Sequence, residues 1–219
     1  MQYKLFGLQR TCTNVVRWLI RYYLNGDDTE HGSEWKHGII KETAYKKDVK
    51  IIVCTKDIHA WLHSIWSYFR NCHDGQRCPH HDRNCSLRQF IRNQHYQWNN
   101  PIIRWNKMNK HWLDFIEANP ERGIVIKSED LLTPEGQLSQ LQKLCNFGFK
   151  WERAFSPILK RVNINCTLNH SNLDFDFYLQ RKFMANYSSS DLKWVASEID
   201  YAVRGKLYSD KMTLITYAN

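Results

Sequence analysis

The chain has 219 residues, of which 42% are hydrophobic and 24% charged, and these proportions exclude a disordered chain and favour one globular domain over residues 1–219. Its net charge of +9 indicates an anionic partner, but the basic residues are dispersed along the chain, which argues against nucleic acid. No run approaches the roughly 20 apolar residues of a membrane span, and no leader-like segment precedes the first predicted strand. We therefore expect a soluble, cytoplasmic protein that does not associate with membranes.

The first predicted elements are a strand, a polar loop and a helix. Residues 3–7 favour a short strand, and apolar residues recur at helical spacing from residue 15 onwards. Thr13 or Asn14 is the expected N-cap of this helix. Because unpaired N–H groups and the positive end of the helix dipole face the loop, this unit predicts an anion site, to which Arg10 adds a cation.

The next predicted unit repeats this arrangement. A polar loop at residues 25–37 leads to a short second strand at residues 38–41. Residues 50–55 form a continuous, β-branched apolar run, which is typical of a buried parallel strand, and residues 58–69 place apolar side chains on one face of a helix. We therefore predict a second strand–loop–helix unit.

Helices and one further strand follow along the rest of the chain. Helices are predicted at about 87–96, at about 102–117, from residue 134 to about 147 and at 191–204, with a fourth strand at 123–127. No regular pattern is visible between residue 151 and about residue 172. Tryptophans at helical core positions are expected to pack in the interior: Trp61, Trp66, Trp105 and Trp112. Strands that alternate with helices predict an α/β fold with a parallel β-sheet flanked by helices on both faces.

The first polar loop lacks the GxxxxGK[ST] pattern of P-loop kinases and ATPases, but it resembles a different phosphate loop. Its residues are Gln9, Arg10, Thr11, Cys12, Thr13 and Asn14. They are similar to the 5′-phosphosulfate loop of sulfotransferases, enzymes that use 3′-phosphoadenosine 5′-phosphosulfate (PAPS). In that family a Lys or Arg is followed by Ser or Thr, a small residue and further hydroxyl residues. The last three residues look most like those of the Golgi carbohydrate sulfotransferases.

Two further segments resemble the same family. There, the strand of the second unit ends in Arg, and a Ser eight positions later joins it in binding the 3′-phosphate of the nucleotide. Here Lys56 and Ser64 stand at that spacing, with Lys in place of Arg, which loses bidentate geometry. A later segment is similar to the family's helix and strand that end in Tyr-Glu-Asp-Leu, with Ser128 in place of Tyr. The three matches together span residues 7–149, about two thirds of the chain.

The resemblance implies a role for each matching residue. Arg10 would stabilise the charge that grows on the leaving phosphate, and the neighbouring loop residues would hold the same oxygens. A plain N-cap is an equally good interpretation of Asn14. Cys12 would be a small residue that lets the backbone approach the nucleotide, and no nucleophilic role is expected for it. Arg161 lies in a basic segment where family members return a loop over the cofactor, so it is a candidate second cation for the 3′-phosphate.

The candidates for the general base lie between residues 34 and 42. Lys41 matches a Lys of the strand that carries catalytic residues in both the heparan-sulfate and the cytosolic sulfotransferases. The His that follows it in the cytosolic enzymes falls on Thr43 here, so that base is missing. Glu34, His37 and Glu42 remain as candidates. Glu34 ranks first, because the heparan-type enzymes place a Glu base in the loop before this strand.

The segment from Cys72 to Cys85 combines cysteine and histidine side chains of the types that suit zinc. Its spacing matches no common structural zinc pattern, so we expect no metal and prefer a loop that faces the acceptor. The total of seven cysteines is odd, which favours free thiols over a disulfide framework. Trp35 and Trp98 lie outside the core patterns and are candidates for stacking on an acceptor ring.

The sequence thus predicts a sulfotransferase with a P-loop-kinase-like fold, which uses PAPS without a metal and releases 3′-phosphoadenosine 5′-phosphate (PAP). The acceptor would be a hydroxyl group, for which a carbohydrate is one candidate. One alternative is a nucleotide-dependent phosphotransferase, for which Asp57 is the only obvious metal-holding carboxylate at a strand end. The other alternative is a non-catalytic module that binds anionic glycans or nucleic acid.

Overall fold

A computed structural model of the chain describes residues 1–29, 36–41, 45–71, 85–93, 100–162, 167–172 and 175–208. The strands in this part of the chain are β1 Gln2–Gly7, β2 Asp27–Asp28, β3 Lys50–Thr55, β4 Gly123–Lys127, β5 Lys160–Val162 and β6 Leu168–Asn172. The α-helices are α1 Thr13–Tyr23, α2 Ile58–Arg70, α3 Leu87–Arg92, α4 Pro101–Ala118, α5 Pro134–Asn146, α6 Phe175–Leu179, α7 Ser189–Glu198 and α8 Tyr201–Tyr208. Short 3₁₀ helices cover Ser128–Leu132 and Lys182–Asn186.

The first four strands form a parallel sheet in the order β2-β1-β3-β4. The chain leaves β1 through α1 and adds β2 on one side, whereas β3 pairs with β1 on the other side. The direction of strand addition therefore reverses between β1 and β3. In open α/β sheets, ligands bind in the crevice at the carboxyl ends of the strands where such a reversal occurs. Gly7 pairs with Cys54 at this edge, so the loops that follow β1 and β3 begin side by side.

Helices cover both faces of the sheet, as the sequence predicted, because side chains alternate between the faces along each strand. Leu5 and Ile52 pack in one core with α1 and α5, whereas Phe6 and Val53 pack in the other with α2 and α4. Three of the tryptophans expected in the interior are fully buried, namely Trp61, Trp105 and Trp112. The fourth, Trp66, is partly buried and packs against the core. Among the described residues, no helix is both long and apolar enough to cross a membrane.

Most of the predicted elements before residue 150 are confirmed, but the strand expected at residues 38–41 is wrong. This segment forms no strand in the part of the chain that the structure describes. Side chains of α4 hold its backbone instead, since the Ile40 N–H donates to His111 Nε2 (2.9 Å) and Trp112 Nε1 donates to the Gly38 carbonyl (3.2 Å). The strand beside β1 is the two-residue β2, within the segment expected to be a loop.

The C-terminal third contains structure that the sequence did not predict. The stretch expected to be irregular contains the antiparallel pair β5–β6, whose first strand is largely exposed and so has no apolar periodicity to reveal it. The predicted helix at 191–204 is two helices, α7 and α8. The break occurs at Asp200, whose carboxylate accepts the N–H groups of Ala202 and Val203 and so begins a new helix. The predicted helix at 87–96 is described only to residue 93 and ends at Arg92.

Candidate functional site

The loop between β1 and α1 is a tight turn with two left-handed residues. Arg10 has a φ of 70° and Cys12 a φ of 61°, which are uncommon for residues other than glycine. Thr11 stabilises the turn, since its N–H and its hydroxyl both donate to the Leu8 carbonyl, at 3.3 and 2.7 Å. The side chain of Thr11 is therefore part of the loop's internal structure.

The predicted N-cap of α1 is wrong, because the helix begins at Thr13 and its N-cap is Cys12 in the left-handed conformation. Within the described residues no side chain caps this end of the helix. The first N–H groups of a helix have no intrahelical acceptor, so those of Thr13 and Asn14 remain available to an anion. The side-chain oxygen of Asn14 accepts a hydrogen bond from Lys36 Nζ at 3.2 Å. Lys36 thus places next to the loop a cation that the sequence did not indicate.

Gly7 lets this loop lie close against the end of β3. A Cβ atom at Gly7 would be 2.6 Å from the Cys54 carbonyl oxygen and 2.6 Å from Thr11 Oγ1. The Gly7 backbone is also fixed on its other side, where its N–H donates to the Lys36 carbonyl at 3.0 Å and its carbonyl accepts from His37 Nδ1 at 2.5 Å. The loop that begins at Gly7 is thus positioned by β3 and by the segment around Lys36.

Replacing Gly7 with alanine should therefore destabilise the protein by about 1–3 kcal/mol, since the backbone of β3 must move to admit the methyl group. Thermal melting should show a midpoint lowered by roughly 2–12 °C. Gly205→Ala is the matched control, because a Cβ there meets no described heavy atom within 4 Å and alanine favours the helix α8. A Gly7→Ala variant that melts with the wild type would contradict this packing.

Lys56 and Ser64 lie together at the end of β3 and in the second turn of α2. Both residues are buried, with only 6% and 5% of their surface exposed. The carbonyl of Lys56 accepts from Trp105 Nε1 at 2.9 Å, which fixes the backbone from which the lysine side chain extends. Its Nζ lies 4.1 Å from the centre of the Tyr178 ring, and the Tyr178 hydroxyl donates to Ser64 Oγ at 3.4 Å. A cation and a hydroxyl are thus held next to each other, as the spacing predicted.

A cavity of about 830 Å³ opens at the crevice between the ends of β1 and β3. The sequence-predicted residues that line it come from three separate segments: Arg10, Cys12, Thr13, Asn14, Lys56, Ser64 and Arg161. Residues of the C-terminal third complete its wall, namely Phe175, Phe177, Tyr178, Leu179, Arg181, Phe183, Arg204 and Tyr208. The structure therefore brings the loop between β1 and α1, the Lys56–Ser64 pair and Arg161 around one space.

Other predicted site residues are not part of this cavity. Gln9 contributes its carbonyl to Trp61 Nε1 at 2.8 Å, and Thr11 is 1% exposed within the loop. Lys41 is exposed on the segment that follows His37. Several predicted residues lie outside the described part of the chain, so their roles stay predictions: Glu34, Glu42, Trp35, Trp98 and the Cys72–Cys85 segment apart from Cys85.

His37 is buried beside the loop rather than exposed to solvent. Burial lowers its pKa to about 4, and the charges of Lys36 and Arg104 act in the same direction, while the bond to Gly7 opposes them. This low pKa keeps the imidazole neutral near pH 7, and its Nδ1–H donates to the Gly7 carbonyl and so helps to hold the loop. His37 therefore has a structural role in holding the loop, and Glu34, which lies outside the described residues, stays the first-ranked candidate base as a prediction.

An aromatic wall, which was not predicted from the sequence, faces the Lys56–Ser64 pair. The His63 ring lies 5.4 Å from Phe177 and 6.1 Å from Phe183, centre to centre. Burial, aided by the charge of Lys56, lowers the pKa of His63 to about 4. His63 precedes Ser64 directly and could have been identified from that position. Phe177 and Phe183 lie more than a hundred residues after His63 and belong to no motif, so the sequence does not identify them.

Asp57 follows Lys56 and caps α2, so its carboxylate already has partners. It accepts from the His59 N–H at 3.1 Å and lies 3.8 Å from Arg204 and 4.0 Å from Arg181. Burial would raise its pKa, but the hydrogen bond and charge of His59, together with the two guanidinium groups, lower it to about 2. Glu129 accepts from the Asp57 N–H at 2.9 Å, and burial raises the pKa of this second carboxyl.

Protein stability should fall as the pH is lowered from about 6.5 to 4, because His37 and His63 are neutral in the fold. In the unfolded chain each histidine binds a proton near its ordinary pKa of 6.5, so the unfolded state holds more protons in this range. The loss is on the order of 3 kcal/mol for His37 and smaller for His63, which lines the cavity and is partly screened by solvent. Denaturant titrations at several pH values should show it, and less steeply in a His37→Gln, His63→Gln double variant. A stability that is flat down to pH 4 would contradict the burial of neutral imidazoles.

Among the described residues, no group of three or more His, Cys, Asp or Glu side chains is placed to hold a metal ion. Comparisons of the chain with protein-family models, with curated proteins and with solved structures find no match. The fold and the site together define an α/β protein with a parallel sheet and a basic, aromatic-walled cavity at its switch point.

Proposed function

We propose that this chain is a PAPS-dependent sulfotransferase with the P-loop-kinase-like fold of that family. It would transfer a sulfuryl group to an acceptor hydroxyl, for which a carbohydrate is one candidate. One observation carries the proposal: segments that resemble the family in two separate places, Arg10 to Asn14 and Lys56 to Ser64, line the same cavity. Their meeting at the switch point of the sheet is what a nucleotide with phosphates at both ends requires.

The residues that line the cavity fit the charge and size of PAPS. Five cations line it, namely Arg10, Lys56, Arg161, Arg181 and Arg204, against the two carboxylates of Asp57 and Glu129. A volume of about 830 Å³ lies within the range of about 300–1,000 Å³ usual for ligand pockets. When bound, PAPS would supply the activated sulfuryl group.

Each end of the nucleotide has suitable partners in the cavity. Lys56 and Ser64 would bind the 3′-phosphate through a charged and a neutral hydrogen bond, with Arg161 as a second cation. At the other end, the uncapped N–H groups of Thr13 and Asn14 would hold the 5′-phosphate oxygens. Arg10 would stabilise the charge on the leaving phosphate as the sulfuryl group moves in line to the acceptor oxygen. Glu34 remains the proposed base for the acceptor proton.

The geometry is less suited to the phosphotransferase alternative. Asp57, the carboxylate that would have to hold a metal, is engaged by the His59 N–H and faces the guanidinium groups of Arg181 and Arg204. A thermal-shift comparison tests the two functions. PAP should raise the melting temperature more than ATP with Mg²⁺ at equal concentration. A larger shift with ATP and Mg²⁺ would favour the phosphotransferase, and no shift with either nucleotide would favour a binding module for anionic glycans.

A further inference from the structure

Tyr178 covers both residues to which we assign the 3′-phosphate. Its ring lies 4.1 Å from Lys56 Nζ, and its hydroxyl donates to Ser64 Oγ at 3.4 Å. The side chains of Lys56 and Ser64 are almost fully buried, and Tyr178 itself is half-buried at the cavity wall. The groups that would bind the phosphate are therefore already paired with a side chain of the protein.

The element that carries Tyr178 is weakly anchored. Helix α6 has five residues, none of which is fully buried, and Arg181 follows it in the left-handed conformation with a φ of 53°. It is supported by the two neighbouring 3₁₀ helices, Ser128–Leu132 and Lys182–Asn186, the second of which carries Phe183, only 3% exposed. Short elements with few buried apolar contacts open at the lowest free-energy cost. Tyr178 packs at the edge of the core and is only half-buried, so its side chain can leave the Lys56–Ser64 pair at a small cost.

We propose that Tyr178 is a specificity-determining residue that competes with the 3′-phosphate of the ligand for Lys56 and Ser64. This inference rests on the proposed function. In the free protein the ring partners the buried ammonium group through its π face, and the hydroxyl partners the serine. A phosphate dianion offers both groups stronger, charged hydrogen bonds, so it displaces the tyrosine side chain.

The competition lowers the affinity for nucleotides that carry a 3′-phosphate and leaves the affinity for the others unchanged. A nucleotide without this phosphate, such as AMP, has nothing to place between Lys56 and Ser64, and Tyr178 stays where it is. Removing the ring should therefore tighten PAP binding by about 3- to 10-fold, which is the range expected for one cation–π contact and one weak hydrogen bond. AMP binding should change by less than about twofold.

Calorimetric titration of Tyr178→Leu, Tyr178→Phe and the wild type with PAP and with AMP tests this inference. Tyr178→Leu should bind PAP more tightly, and Tyr178→Phe, which keeps the ring over Lys56, should show a smaller gain. Tyr201→Leu is the matched control, because this tyrosine on α8 is 56% exposed, does not line the cavity and should leave the ratio of PAP to AMP affinity unchanged.

The outcomes separate this inference from the proposed function. If wild-type protein prefers PAP but Tyr178→Leu binds it equally well or more weakly, Tyr178 is neutral or supports the ligand, and only the inference is overturned. If Tyr178→Leu does not fold, Tyr178→Phe still decides the matter, since weaker PAP binding by that variant would mean that the hydroxyl helps to hold the phosphate. Equal wild-type affinities for PAP and AMP would overturn the proposed function and this inference together.

Discussion

Arg10→Ala should slow sulfuryl transfer by about 10²- to 10³-fold, which is the usual cost of removing one preorganised group from the developing charge of a transition state. Arg10 is well placed for this role. Its backbone is held in the left-handed conformation at the tip of the loop, and its guanidinium lies 5.2 Å above the Tyr68 ring at the cavity wall. Nucleotide binding should change much less, because Lys56 and Ser64, the proposed partners of the other end of the ligand, are unaltered.

The rate can be followed as release of PAP from PAPS in the presence of a mixture of saccharide acceptors. Arg70→Ala is a suitable control, because Arg70 also lies over an aromatic ring, 4.9 Å from that of Trp66, but does not line the cavity. Arg10→Lys, which keeps the charge but not the planar group, should recover part of the rate. If Arg10→Ala transfers the sulfuryl group at a rate within about threefold of the wild type, Arg10 does not stabilise the transition state.

Lys56→Ala should abolish the preference of the protein for PAP over AMP, at a cost of about 1.5–3 kcal/mol for a hydrogen bond to a charged group. The effect should be specific to the 3′-phosphate, since Lys56 lies at the β3 end of the cavity beside Ser64 and Tyr178. AMP, which lacks this phosphate, should bind the variant and the wild type alike. Calorimetry with both nucleotides measures the two affinities directly.

Lys110→Ala controls for the loss of one positive charge, because Lys110 is exposed on α4 and pairs with Asp114 on the surface. Its effect should be small and should fall on PAP and AMP in similar measure. Should Lys56→Ala retain the full preference for PAP, the 3′-phosphate must be bound elsewhere, and Arg161 would be the next residue to test.

The sheet and the residues at its carboxyl edge were predictable because their signals are local. Lys50–Thr55 and Gly123–Lys127 are short apolar runs bounded by polar residues, and both are strands with the predicted bounds. The eight-residue spacing of Lys56 and Ser64 depends only on a helix that starts directly after the strand, which α2 does. The positions of residues on one strand and on the helix that follows it are therefore set by local structure, which the sequence predicts.

The rest of the site could not be predicted, because it depends on contacts between distant segments. Tyr178 reaches Ser64 across 114 residues, from a helix of five residues that is too short to show a hydrophobic period. The predicted N-cap of α1 was wrong for a related reason: propensity favours Thr13 or Asn14, but the left-handed turn that packs against β3 places the N-cap one or two residues earlier, at Cys12. In both places, contacts between segments that are distant in the sequence determine the structure, and the local sequence does not show them.

Calorimetric titration of the wild-type protein with PAP and with AMP is the most direct test of the central claim, that this cavity binds a nucleotide through its 3′-phosphate. The two ligands differ only in that group, for which Lys56 and Ser64 are the proposed partners. PAP should bind about 10- to 150-fold more tightly than AMP, which corresponds to a charged hydrogen bond of about 1.5–3 kcal/mol. Equal affinities for PAP and AMP would contradict the claim.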